Sequence, residues 1–255
     1  MNAKSMEGFF YSERDRLTRR SAEIILQSLQ PVVEFRSLID VGCGVGTWPA
    51  VAKSEFGCQR VHGVDGEWVD QTLLQIDRSE FTVTELANGK GPDVQALGRW
   101  DMAVSLEVAE HLQPQDADWF VELLTSLSDV VLFSAAIPRQ GGFGHHNEQW
   151  PSYWGEKFKA AGYQCVDFIR QTHWEDDSIL PHYRQNCFVF MNRNRGEPID
   201  GFESVLSEFS LPMAAVHPFY WMQRTEEHPV YFRHACSVAV KAFRDAVKRR
   251  CGFAG

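Results

Sequence analysis

Leu38-Ile39-Asp40-Val41-Gly42-Cys43-Gly44-Val45-Gly46-Thr47-Trp48 is the stretch on which the rest of the chain is organised. The apolar run Ser37 to Val41 reads as a short buried strand. Glycines at 42, 44 and 46 follow, then Thr47 as a helix cap and Pro49, tolerated in a first turn. Strand, tight glycine turn and helix let the backbone approach a ligand closely. The helix N-terminus adds free N–H groups and a positive dipole. A carboxylate, a phosphate or polar ribose oxygens belong there.

Outward from this turn the pattern repeats. Ser12 to Gln30 reads as an amphipathic helix capped by Ser12 and stopped by Pro31, with Phe9, Phe10 and Tyr11 free to fold over a pocket. Trp48 to Glu55 is helical. Arg60–Val64, Phe81–Thr84, Asp101–Leu106 and Val130–Ala135 read as strands, with a helix over Ala117–Leu127. A Gly- and His-rich loop spans Ile137 to Gln149. Ser152–Ala161 reads as a helix, and Gln164–Arg170 and Asn186–Asn192 as two more strands. Short apolar strands alternating with helices form an open α/β sheet covered on both faces. Residues 1–195 are one domain on this reading. Residues 196–255, broken by Pro198, Pro212, Pro218 and Pro229 and ending in a helix from His234 to Arg250, are a helical extension of it.

The bulk numbers agree with a folded enzyme-sized domain. The 255 residues are 44% hydrophobic and 23% charged, with eight Trp and eighteen Phe, which excludes general disorder. A net charge of −9 disfavours a nucleic-acid substrate. Six scattered cysteines without a Cys-x-x-Cys pair fit reduced thiols in the cytoplasm. We expect no signal peptide and no membrane span.

Open α/β sheets bind ligands outside the carboxyl ends of their strands. Polar groups recur at those ends. Asp65 is placed to accept from ribose hydroxyls, Glu85 from an exocyclic amine, and Glu107 ends the fourth strand. The glycine spacing is close to a dinucleotide fingerprint, but its third glycine comes one residue early. Asp40 decides between the two designs, because a carboxylate there repels a pyrophosphate and suits an ammonium or sulfonium charge.

LIDVGCGVGTW, the acid in VHGVDG, and VSLEVAEHL together resemble the consecutive motifs of class I S-adenosylmethionine-dependent methyltransferases, over roughly residues 10 to 192. The resemblance implies a Rossmann-like seven-stranded sheet with an antiparallel last strand. It implies S-adenosylmethionine as cofactor, with Asp40, Gly42, Gly44, Gly46 and Trp48 around its methionyl part. Asp65 would hold the ribose, Glu85 and Leu86 flank the adenine, and Leu106 and Glu107 line the methionine end. Glu85 departs from the family's usual Asp. GGFGHHNEQWPSYW and YRQN also resemble a bacterial subgroup acting on sugars or other small metabolites.

Methyl transfer to an oxygen is an in-line displacement that also releases a proton, so a base helps. His145, directly after Gly144, takes that role here. His111, His146, Asn147, Glu148, Tyr153 and Tyr183 are the candidate substrate residues. Holding the loop by hydrogen bonds is the competing role for His145 and Asn147, and packing at a helix start for His111. Adjacent histidines point apart, so no metal is expected. The leading reading is a methyltransferase acting on a small polar molecule, with no nucleic-acid or membrane partner and a homodimer as an option. The alternatives are a nicotinamide-dependent oxidoreductase and a non-catalytic cofactor-binding module.

Overall fold

Seven strands order themselves as β3-β2-β1-β4-β5-β7-β6 in the computed structural model, which describes residues 3–193, 215–217 and 220. The strands are β1 (Ser37–Val41), β2 (Arg60–Asp65), β3 (Phe81–Val83), β4 (Met102–Leu106), β5 (Val130–Ser134), β6 (Tyr163–Val166) and β7 (Phe188–Asn192). The helices are α1 (Ala3–Leu29), α2 (Thr47–Glu55), α3 (Val94–Leu97), α4 (Ala117–Leu127), α5 (Pro151–Ala160), α6 (Phe168–His173) and α7 (Pro181–Asn186). β1 pairs in parallel with β2 and β4, β2 with β3, and β4 with β5; only β7 runs antiparallel, against both β5 and β6. The fold is the expected open sheet. Its order reverses between β1 and β4, so a crevice opens outside their carboxyl ends.

Alternation along β1 shows how the sheet is covered. Leu38 points into a cluster with Ile25, Leu26 and Leu29 of α1 and Val51 of α2. Its neighbours Ile39 and Val41 point the other way, toward Phe120 and Leu124 of α4 and Phe158 of α5. On that second face Phe158 and Phe190 stack with centroids 3.9 Å apart. Both faces of every central strand are therefore dry, as a largely parallel sheet requires. Among the described residues, no helix is long and apolar enough to cross a membrane.

Several expected boundaries move. α1 begins at Ala3 and runs through Ser12, so Ser12 is not its cap; no proline interrupts the preceding residues. It does stop ahead of Pro31. Gly46, at φ 81°, is the N-cap of α2, and Thr47 is already helical. A left-handed entry suits glycine, and it frees the Thr47 hydroxyl to donate to Asp15 at 2.9 Å. The strand expected over Gln164–Arg170 ends at Val166. Asp167 there accepts from Arg170 Nε at 2.8 Å, one turn on, and that local pair favours helix α6. The last strand starts at Phe188, and Asn186 closes α7 instead.

The chain divides into two compact units, residues 1–215 and 216–255. The expected C-terminal helix, His234–Arg250, lies outside the described residues, as do the side chains of Phe9, Phe10 and Tyr11. Of the six cysteines, Cys43, Cys58, Cys165 and Cys187 are described, all buried and unpaired.

Candidate active site

The crevice at the β1/β4 switch is a cleft of about 340 Å³, lined by Asp40, Gly42, Gly44 and Trp48 on one side and Leu106, Glu107 and Tyr183 on the other. Asp15 and Thr18 of α1 and His182 of α7 also line it, three residues that no sequence motif marks. Asp15 could have been suspected only from its distant partners: it accepts from Thr47 Oγ1 at 2.9 Å and from Gln75 Nε2 at 2.5 Å.

The glycine turn is shaped from both sides. Gly42 N and Cys43 N both donate to Val64 O, at 2.7 and 3.2 Å, which ties the turn to β2. A Cβ on Gly42 would overlap the side chain of Val108, and its φ is 86°. A Cβ on Gly44 would meet nothing within 4 Å. Gly44 therefore faces open space, and its amide donates to Asp65 Oδ2 at 2.7 Å. Asp65 Oδ1 accepts from Gly66 N at 2.6 Å. Burial pushes the Asp65 carboxyl above its usual range, and these two amides pull it partly back. Asp40 is buried to 3% exposure. Burial and then the charge of Asp65 hold its carboxyl well above the ordinary value. A cleft with two crowded carboxylates attracts a cation. Cys43 is no nucleophile: burial first, then Asp40 and Asp65, drive its thiol well up.

Glu107 takes φ 56°, unusual for a residue with a side chain. The surroundings hold it there. Its amide donates to Ser134 O and Oγ at 3.1 and 3.0 Å. Its carboxylate accepts from Gln140 Nε2 at 2.8 Å and from Asn186 Nδ2 at 3.0 Å, and Asn186 Nδ2 also donates to Gln140 Oε1 at 2.8 Å. This explains YRQN. Tyr183 packs edge-on against Trp48, with ring centroids 5.4 Å apart. Arg184 donates to Asp177 at 2.7 Å, Gln185 to Ala215 O at 2.7 Å, and Asn186 clamps Glu107.

The loop after β5 folds back over the residues following β4. His146 N and Asn147 N donate to Glu110 O at 2.8 and 2.9 Å. His145 Nδ1 meets Glu148 Oε1 at 3.0 Å, and Glu148 accepts from the amides of Arg139 and Gly141 at 2.8 and 2.7 Å. Burial works against the Glu148 charge, yet His145 and these amides hold its carboxyl below the usual range. A Cβ on Gly142 would overlap the imidazole of His145, which explains a glycine there. The rings of His111 and His145 meet edge-on at 4.8 Å. Burial, then the charge of His145, lower the His111 pKa. His111 also interacts electrostatically with Asp65 and Glu107, which links the loop to the cleft.

Glu110, which the sequence did not single out, is fully buried beneath this pair. Burial, then the charge of Glu107, push its carboxyl up to about 9. The amides of Glu110 and Ala136 offset part of the cost without completing a hydrogen bond to either oxygen. Leaving such a group unsatisfied costs roughly 1–3 kcal/mol.

Other expected residues sit apart. Asn147 is buried, its Oδ1 accepting from Gln149 Nε2 at 2.9 Å, so it anchors the loop from inside. His146 is exposed. Tyr153 belongs to α5, packed edge-on against Trp154 at 5.0 Å and lying under Lys157 Nζ at 4.7 Å. Glu85 is exposed and paired with Lys90 at 3.1 Å, while Leu86 is buried beside it.

A family model described as a methyltransferase domain matches residues 12–176, well over half of the chain. The chain belongs to this family of methyltransferases. It is an S-adenosylmethionine-dependent enzyme. No curated protein sequence matches it. Among solved structures, an O-methyltransferase family protein from Burkholderia thailandensis is 14% identical, with a TM-score of 0.52 over 74% of this methyltransferase and 59% of that chain. Streptomyces venezuelae DesVI is 16% identical, with a TM-score of 0.51 over 75% of this chain and 99% of that one. The methyltransferase domain of bacterial CtHen1-CN is 19% identical, with a TM-score of 0.49 over 69% of this chain and 99% of that one. For the Burkholderia protein and DesVI, at these identities, the likeness is one of fold.

Proposed function

We propose that this methyltransferase acts on an oxygen of a small polar acceptor in the cytoplasm, a sugar or related metabolite first. The observation that carries the reading is the paired His145 and Glu148 beside His111, on the loop that Gln140 ties to Glu107 of the cleft. A residue type that takes up protons near neutral pH is what an acceptor hydroxyl needs and a passive binding module does not.

The cleft suits the cofactor. Gly44 leaves room for a ligand against the backbone, and the buried Asp40 with Glu107 favours its ammonium and sulfonium charges. Bound there, S-adenosylmethionine supplies a methyl group on a good leaving group. Asp40, Gly42, Gly44 and Gly46 would surround the methionyl part with Trp48, Leu106 and Glu107. Asp65 would hold the ribose with the lone pairs that the two amides and Trp68 leave free. Glu85 and Leu86 would border the adenine. Tyr183 and Trp48 wall the cleft and exclude water. The acceptor's proton leaves through the cluster around His145.

Calorimetry with S-adenosylmethionine and with NADH tests the cofactor, and a screen of nucleotide sugars and small metabolites for methyl transfer tests the acceptor. We expect S-adenosylmethionine alone to bind and a hydroxyl compound to turn over. His145→Ala should then lower kcat at least tenfold with little change in cofactor affinity. Full turnover by that variant would sink the assignment of His145.

A further inference from the structure

We propose that Glu110, His111 and His145 bind a divalent transition-metal ion at the acceptor side of the cleft. One ligand atom from each, a carboxylate oxygen and two imidazole nitrogens, lies within 4.8 Å of the other two. Two further observations make this more than a neighbourhood.

The first is the tautomers. His111 Nδ1 faces Gly144 O at 3.3 Å, and His145 Nδ1 faces Glu148 Oε1 at 3.0 Å. Both partners are acceptors, so in the neutral rings the proton sits on Nδ1 and each Nε2 offers a lone pair. Carbonyl and carboxylate partners of this kind orient imidazoles toward metals. Glu148 is itself fixed by the amides of Arg139 and Gly141. The second is Glu110. Its carboxylate is fully buried, and neither oxygen completes a hydrogen bond. Buried polar groups are nearly always satisfied, and a cation held against the two histidines would satisfy this one.

Two imidazoles and one carboxylate suit Zn²⁺, Co²⁺ or Mn²⁺ better than Mg²⁺ or Ca²⁺, which prefer oxygen alone. Metal–ligand bonds of about 2.0–2.2 Å require the rings to draw inward by about an ångström. His111 is exposed and free to make that adjustment. Three protein ligands leave a coordination position for an acceptor hydroxyl, whose proton the ion would render acidic. The proton passes to solvent. The oxygen lone pair then forms the bond to the methyl carbon while the carbon–sulfur pair stays on sulfur. His145 thus serves the acceptor through the ion it helps to hold, which refines its part in the proton's departure. The use of the ion rests on the methyl-transfer reading above; the ion site does not.

The full chain, stripped with chelator, is titrated with Co²⁺ and followed by visible absorption, with Mg²⁺ as control. S-adenosylmethionine binding is measured calorimetrically on the same samples. We expect one equivalent of Co²⁺ to bind with visible bands and Mg²⁺ not to compete. His111→Ala and His145→Ala should weaken uptake at least 100-fold, and Glu110→Gln at least tenfold, with unchanged circular dichroism. His173→Ala, on α6, should leave uptake intact. Absence of saturable Co²⁺ uptake by the wild type, or equal uptake by the two histidine variants, overturns the proposal. Co²⁺ uptake without S-adenosylmethionine binding would uphold the site and refute the cofactor reading. The reverse would refute the site alone.

Discussion

Asn186→Leu separates the clamp on Glu107 from the stability of the fold. The substitution keeps the branching at Cγ and removes both donations from Nδ2, to Glu107 Oε1 at 3.0 Å and to Gln140 Oε1 at 2.8 Å. A hydrogen bond to a charged group contributes about 1.5–3 kcal/mol, and one between neutral groups about 0.5–1.5 kcal/mol. The loss is therefore roughly 2–4.5 kcal/mol by the same scale. It is partly offset, because Asn186 Oδ1 is buried without a partner and leucine removes that penalty of about 1–3 kcal/mol. The net cost is about 1–2 kcal/mol, or a fall in Tm of roughly 2–8 °C for a domain of this size. The cleft should suffer more. Glu107 keeps only Gln140 to hold a carboxylate carried on a backbone at φ 56°. A tenfold rise in the Kd for S-adenosylmethionine corresponds to about 1.4 kcal/mol, and we expect at least that. Differential scanning fluorimetry and calorimetry on the same protein measure both quantities. A lowered Tm with a Kd within about twofold of wild type would show that Asn186 supports the fold and not the cofactor.

Two other changes probe the cradle. Asp40→Asn should weaken S-adenosylmethionine binding at least tenfold while raising the Tm of the ligand-free protein at pH 8. The sign follows from the raised carboxyl: the stability of the protonated acid is fully present below the unfolded value of about 3.9 and lost as pH rises through the folded one. The Tm advantage of Asn should therefore vanish near pH 4, and an equal advantage at both pH values would refute the burial argument. Gly42→Ala forces a Cβ into Val108 at φ 86°, so it should cost about 2 kcal/mol or more and abolish cofactor binding. Gly57→Ala, at φ 68° in open space, should cost only about 1 kcal/mol and leave cofactor affinity intact; equal loss of binding in both variants would mean that the turn is merely fragile.

Legibility differed from element to element. The strands ending at Val41, Asp65 and Leu106 were readable because buried parallel strands are short apolar runs, and their ends are marked by the residues that stop them. The glycines were readable because positive φ and close approach exclude most other residues. Boundaries set by side-chain pairing were not. The Asp167–Arg170 pair turned an expected strand into α6, and the Gly46 entry moved the start of α2.

The sequence alone determined the sheet and the family, because those depend on local periodicity and on residues adjacent in the chain. Tertiary structure alone decided which distant groups share the site. Asp15 of α1 and His182 of α7 reach the cleft across the fold, and Asn186 meets Glu107 from 79 positions away. Glu110 reads in sequence as an ordinary acid in VSLEVAEHL. Only folding buries it under His111 and His145 with its hydrogen bonds unmade, since burial is a property of everything packed around a residue and not of its neighbours in the chain.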